Sequence, residues 1–213
     1  ETSLFHLNGE QPIQGTAFSL FADRSSGAVW VSATKSLYRL YNGRLSSLST
    51  NKCLINAKVF QDREGNLWFA SYRDGLSRMQ NGKFLLYGEL EGLTDEATHC
   101  IAEDAQGRVW IGGDNGLSMI ENNSVRAFTV KNGNLPHNTV RDVCPDGTGN
   151  VWIATGWGLA RFDGKGFQRI SPRTPLSNER LRRLCLSKSG ALWIATESGL
   201  NALAPTPSSE NRS

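Results

Sequence analysis

Five short runs decide how this chain folds: Val29-Trp-Val-Ser32, Leu67-Trp-Phe-Ala70, Val109-Trp-Ile-Gly112, Val151-Trp-Ile-Ala154 and Leu192-Trp-Ile-Ala195. Their tryptophans, Trp30, Trp68, Trp110, Trp152 and Trp193, are separated by 38, 42, 42 and 41 residues. A glycine stands three residues before each one (Gly27, Gly65, Gly107, Gly149, Gly190), and a leucine follows seven or eight residues after it (Leu37, Leu76, Leu117, Leu159, Leu200). A rare residue recurring on so regular a period marks a repeat architecture, and roughly 40–50 residues per unit is the range of a propeller blade.

The fourth repeat shows what one unit contains. Thr139 to Cys144 reads as a short strand, and Asp146-Gly-Thr-Gly149 as a turn in which Asp caps through its side chain and Gly accepts positive φ. Asp62, Asp104 and Ser187 hold the same place in repeats two, three and five. Val151 to Thr155 is a continuous apolar run, as expected of a strand covered on both faces. Gly156-Trp-Gly158 reverses the chain, Leu159 to Phe162 and Phe167 to Ile170 supply two further strands, and Asp163-Gly164 joins them. Pro145 ends the first strand, which suits an edge and not the middle of a sheet. Four antiparallel strands in about 42 residues make one blade. The expected fold is therefore all-β: a β-propeller of about five four-stranded blades spanning residues 3–203, with 204–213 a flexible tail.

The two ends complement one another. Ser3-Leu-Phe-His-Leu7 resembles the outer strand of a blade, and the fifth repeat runs into Ala204-Pro-Thr-Pro-Ser-Ser-Glu-Asn-Arg-Ser213 where its own outer strand should come. Pairing the N-terminal strand with the C-terminal blade would close the ring; the alternative is a segment cut in phase from a longer array.

Composition narrows the function. The net charge of +3 comes from 23 Lys and Arg spread along 213 residues, too diffuse for a nucleic-acid surface. No apolar run approaches the roughly 18 residues of a membrane span. The chain begins at Glu1 without Met, as a mature or excised segment does. Cys53, Cys100, Cys144 and Cys185 lack metal-ligand spacing; small buried apolar residues is the plainer reading, and a disulfide between blades the other.

At Asp146-Gly-Thr-Gly-Asn-Val-Trp-Ile-Ala-Thr-Gly-Trp-Gly-Leu159, preceded by Leu135-Pro-His-Asn138, the chain resembles the two-component regulator propeller repeats. Residues 62–76, 104–117 and 187–200 match well and 24–37 loosely. The resemblance implies the extracytoplasmic sensing part of a bacterial membrane-bound regulator, periplasmic, with a histidine kinase or diguanylate cyclase as output. It implies a non-enzymatic module without cofactor. Its partners would be an oligosaccharide or other small ligand, the remaining domains of the receptor and a second copy of the chain. A protein–protein interaction propeller is the alternative. A propeller lyase using His99 or His137 with Glu96 or Glu179 is a third reading.

Candidate binding residues follow from aligning the repeats on tryptophan. His99, Arg141 and Arg182 each stand eleven residues before it, with Ser19 and Ala57 completing the column. Adjacent inner strands would then present basic groups that can grip a carboxylate or sulfate. The plainer reading pairs them with Asp142, Glu179 and Glu103. Trp157 lies in a turn between two glycines, placed to stack on a ligand ring or to pack on a neighbouring loop. His137 is in a loop expected on the same face. Asp74, Asp114 and Glu197 sit at or near one point of three repeats, either as solvated turn acids or as hydrogen-bond acceptors for sugar hydroxyls. No metal-binding spacing, phosphate loop or nucleophile elbow is present.

Overall fold

The structure, a computed structural model, describes residues 13, 16–34, 36–48, 57–71, 74–172 and 174–204. Residues 3–7, Cys53 and all of the tail beyond Ala204 lie outside the described residues, so the expectations that rest on them are not met or missed here. The chain divides into two compact units, residues 1–98 and 99–213.

The first unit carries two sheets of four antiparallel strands in sequence order. One comprises β1 (Ala17–Ala22), β2 (Val29–Ala33), β3 (Leu37–Tyr41) and β4 (Arg44–Leu48); the other comprises β5 (Lys58–Gln61), β6 (Leu67–Ala70), β7 (Leu76–Gln80) and β8 (Lys83–Tyr87). Asn42-Gly43 and Asn81-Gly82 join the outer strands, and both residues of each pair have positive φ (49° and 74°, 51° and 73°). That conformation matches the twist of the hairpins it closes. The sheets bury Trp30, Leu37, Ala57, Leu67 and Phe69 between them. Trp30 meets Phe69 edge-on at 5.9 Å.

The second unit carries three sheets. β9 (Thr98–Glu103), β10 (Val109–Gly113), β11 (Leu117–Glu121) and β12 (Ser124–Phe128) form the first; β13 (Val140–Pro145), β14 (Val151–Thr155), β15 (Gly158–Phe162) and β16 (Phe167–Ile170) form the second. The third has three strands, β17 (Leu181–Leu186), β18 (Leu192–Thr196) and β19 (Gly199–Leu203). Each sheet is one tryptophan repeat, and the fold is an all-β propeller of about five blades. The expected strands of the fourth repeat agree with the structure to within one residue, and Pro145 closes an edge strand, where its missing N–H leaves no gap in the ladder.

Packing within this unit follows the repeat. Trp110, fully buried, is covered by Phe162 of the next blade at 5.1 Å. Val140, Val143, Val151 and Ile153 of that blade complete the layer. Ala154 and Leu159 in turn meet Leu181, Leu192 and Ile194 of the last blade. Trp30, Trp68 and Trp110 are core residues, at most 2% exposed, whereas Trp152 is half-buried and Trp193 is 42% exposed.

The turn acids do more than cap. Asp104 Oδ1 accepts from the Gln106 and Arg108 backbone N–H groups, while Oδ2 accepts from Arg108 Nε at 2.6 Å and Trp110 Nε1 at 2.7 Å. Asp62 likewise accepts from Trp68 Nε1 at 2.7 Å. The acid thus satisfies the indole of its own blade, whose burial would otherwise leave a donor unpaired. Among the described residues no helix is long and apolar enough to cross a membrane. Cys100, Cys144 and Cys185 are free thiols.

Candidate functional site

The basic column rests on a backbone irregularity. In β13 the register with β14 slips between Val140 and Asp142, and in β17 the register with β18 slips between Leu181 and Arg183. Arg141 and Arg182 are the extra residues of these two bulges. A bulge bends its strand and re-aims the side chain it carries. Repeat one departs from the alignment. Its turn acid, Asp23, stands seven residues before Trp30 where Asp62, Asp104 and Asp146 stand six before theirs. The longer turn slips the pairing by one, so the bulge falls between Ala17 and Ser19 and its extra residue is Phe18. Ser19 is therefore not a member of the column. Trp30 Nε1, out of step with its acid, is buried without a hydrogen-bond partner among the described residues.

The acidic and basic columns prove to be partners of each other. His99 Nε2 lies 2.8 Å from Asp114 Oδ1, and Arg182 Nη2 lies 2.6 Å from Glu197 Oε1. Both acids stand four residues after their tryptophan, facing the basic residue eleven before it. This corrects the expected pairing with Asp142, Glu179 and Glu103: Asp142 Oδ2 instead accepts from the Leu184 backbone N–H at 2.8 Å. Asp74 stands six residues after Trp68, not four, and bonds locally with Ser71. It belongs to the first unit, and the second unit alone assembles the remaining candidates.

The middle blade of that unit breaks the pattern. Where its neighbours have Asp114 and Glu197, it has Gly156. Arg141 consequently has no acid at that place in its own blade. It reaches back: its Nη1 is 3.3 Å from His99 Nε2 and 3.9 Å from Asp114 Oδ1. The side chains of Arg141 and Asp114 are 36% and 41% exposed, whereas His99 is largely covered at 12%. The two bulges are neighbours, because Arg183 Nη1 donates to both Arg141 O at 3.0 Å and Arg182 O at 3.2 Å. The result is a continuous row of Asp114, His99, Arg141, Arg182 and Glu197.

Gly156 also makes room. A Cβ there would sit 3.0 Å from His137 Nδ1, so the imidazole lies directly over the turn. His137 is exposed, and its Nδ1 accepts from the Thr139 backbone N–H at 3.0 Å, which assigns the other nitrogen the proton when the ring is neutral. The Gly156 N–H donates to Thr139 O, and the Trp157 N–H to Thr155 Oγ1, pinning the turn. Trp157 projects from it and is 50% exposed. Gly158 follows with φ of 103° and donates to Glu179 O at 2.8 Å, a conformation costly for any residue with a Cβ.

Arg180 and Arg183 were not among the candidates. Arg180 Nη1 is 3.4 Å from Glu197 Oε2, so Glu197 holds two guanidinium groups. The run Glu179-Arg-Leu-Arg-Arg183 was the available signal. Around the row stand four arginines, Arg141, Arg180, Arg182 and Arg183, and four acids, Asp114, Asp142, Glu179 and Glu197. No group of three or more metal-ligating side chains occurs among the described residues.

The description of the two component regulator propeller family matches residues 92–115 and 134–157. No protein with a curated description matches the chain in sequence. Among solved structures it is similar to the extracellular domain of BT4673 from B. thetaiotaomicron, described as a one component system, with 18% identity, TM-score 0.72, covering 93% of this chain and 30% of that one. It is also similar to virginiamycin B lyase from Staphylococcus aureus, with 16% identity, TM-score 0.67, covering 90% and 71%. A third is PorZ, a surface component of the type-IX secretion system of Porphyromonas gingivalis, with 18% identity, TM-score 0.66, covering 98% and 34%. At these identities the likeness is one of fold. The chain spans about a third of the length of the BT4673 domain and of PorZ.

Proposed function

We propose that the chain is a non-enzymatic, extracytoplasmic sensing module of a bacterial signal-transduction receptor, and that it binds an acidic oligosaccharide along the Arg141 row. The observation that carries this reading is the state of Arg141. Its own blade offers glycine where the neighbouring blades offer a carboxylate. Among the described residues its guanidinium keeps one contact within hydrogen-bond distance, to His99. A planar fork of five donors left this open can take a ligand carboxylate or sulfate in a bidentate grip.

The flanking groups suit a sugar. Trp157 offers an exposed ring face one residue beyond Gly156, and pyranose rings present apolar C–H faces to such surfaces. Asp114 and Glu197 can accept from hydroxyl groups. The repeat family and the extracellular origin of the BT4673 domain support a sensing role over a structural one. The lyase neighbour supports a catalytic reading only through the shared fold. Here His99 is occupied by Asp114 and not by Glu96 or Glu179.

The test is calorimetric titration of the chain with a uronic-acid tetrasaccharide and, separately, a neutral glucose tetrasaccharide. The acidic sugar should bind and the neutral one should not. Arg141→Ala should weaken binding by at least about tenfold, the loss expected when a charge-assisted bond of roughly 1.5–3 kcal/mol is removed. Equal affinity for the two sugars, or an Arg141→Ala chain that binds as well as the parent, would overturn the reading.

A further inference from the structure

A cleft of about 480 Å³ opens between the fourth and last blades, wholly within the second unit. The last blade contributes Leu186, Leu192 and Leu203 to it, and the fourth contributes Trp152, Arg161 and Ile170. The turns at Asp146 and Gly190 border the cleft, whereas Gly156 and the Arg141 row lie at the other end of β14. Small-molecule sites have this size and this make-up, apolar walls with a few polar groups that fix the ligand.

The polar group here is a cation left open. Trp152 and Arg161 stand opposite each other on β14 and β15, and the guanidinium carbon lies over the indole, 5.6 Å from its centroid. Among the described residues Arg161 makes no hydrogen bond or ion pair, and its Nε is buried without a partner. The nearby acids are engaged elsewhere. Asp146 Oδ1 accepts from the Thr148 hydroxyl and Oδ2 from Asn150 Nδ2, so it does not hold the Trp152 indole as Asp62 and Asp104 hold theirs. Asp163 accepts from the Lys165 and Gly166 backbone N–H groups through Oδ1 and from Gln168 through Oδ2. The preceding interface shows the same elements closed: Arg108 donates to Asp104 at 2.6 Å and lies over Phe162 of the next blade. Arg39 and Arg78, stacked on their own tryptophans, each meet a second ring, Tyr41 and Tyr87. Arg161 has Trp152 alone among the described residues. A half-buried cation is costly unless its remaining donors and its second face are completed.

We propose that this cleft is a second ligand site and that it takes a small aromatic carboxylate. The ligand ring packs among the leucines and gives Arg161 the second aromatic face that Arg39 and Arg78 already have. With Nε covered, the two Nη groups grip the carboxylate end-on through parallel bonds. A sugar is excluded, because its hydroxyls would be set against aliphatic side chains. The site is separate from the Arg141 row and does not depend on what binds there.

The test is titration of the full chain with 2-naphthoate and, separately, with 2-naphthalenemethanol, which has the same ring and no charge. Calorimetry reads the affinities, and the indole N–H signals read the place. The acid should saturate one site at least about tenfold more tightly than the alcohol, the difference a charge-assisted bond makes. It should shift Trp152 and leave Trp157 in place. Arg161→Gln, which keeps a planar group over the indole, should lose the preference for the acid while melting like the parent. Titration without saturation, equal affinities for acid and alcohol, or shifts confined to Trp157 would overturn the assignment, and all three are read on the parent chain. An Arg161→Gln chain that still prefers the acid would overturn it as well.

Discussion

At the scale of single residues, the turn acids carry a cost that their position at the surface end of a blade conceals. Asp104 is 1% exposed and holds both the Trp110 indole and the Arg108 guanidinium. Removing it strands a buried donor and a cation whose side chain is itself only 11% exposed. Asp104→Ala should therefore destabilise the chain by about 3–5 kcal/mol, the range for breaking a buried charged pair. Asp146 accepts only from its own exposed turn, through Thr148 and Asn150. Asp146→Ala should cost about 1 kcal/mol, as a lost turn cap does. Urea unfolding of the two variants reads the difference directly; equal losses would mean that the indole bond contributes little. The capping role of these acids was readable from the Asp and Gly spacing. The bond to the indole was not, since it depends on where two side chains point, which spacing alone does not reveal.

At the scale of the blade, the residue two after each tryptophan is small throughout: Ser32, Ala70, Gly112, Ala154 and Ala195. In the third repeat even alanine is too large. A Cβ on Gly112 would lie 2.5 Å from Val140 Cγ1 and 2.6 Å from Cys100 Sγ, so first strands of adjacent blades close onto this backbone. Gly112→Val should destabilise by about 1–3 kcal/mol through overpacking, and Gly112→Ala by less. Thermal melting checks this, and a Gly112→Val chain melting at the parental temperature would show that the interface can yield. Blade boundaries were legible because tryptophan, glycine and leucine mark each repeat. The Ser19 error has a physical cause at the same scale. One extra turn residue between Asp23 and Trp30 shifts a strand by one place, and in a sheet a shift of one reverses every side chain. Counting from the acid as well as from the tryptophan would have exposed it.

At the scale of the whole molecule, the period of about 42 residues was enough to name a β-propeller, because each repeat must bury its faces against the next. The candidate site was legible in part. Aligning repeats brought His99, Arg141 and Arg182 into one column, and the structure places them in one row with Asp114 and Glu197. That the acids and bases are mutual partners, and that Gly156 leaves Arg141 the exception, required the bulges that turn these side chains toward each other. The account's central claim is that this row receives the anionic group of a ligand. The most direct measurement is a two-dimensional NMR titration of the chain with a uronic-acid tetrasaccharide, following arginine Nε–H and tryptophan indole N–H signals. The account predicts that Arg141, Arg182 and Trp157 shift together and saturate with one affinity, while the buried Trp68 and Trp110 stay in place. Shifts confined to Trp193 and the far face of the last blade, or binding that leaves Arg141 unmoved, would contradict it.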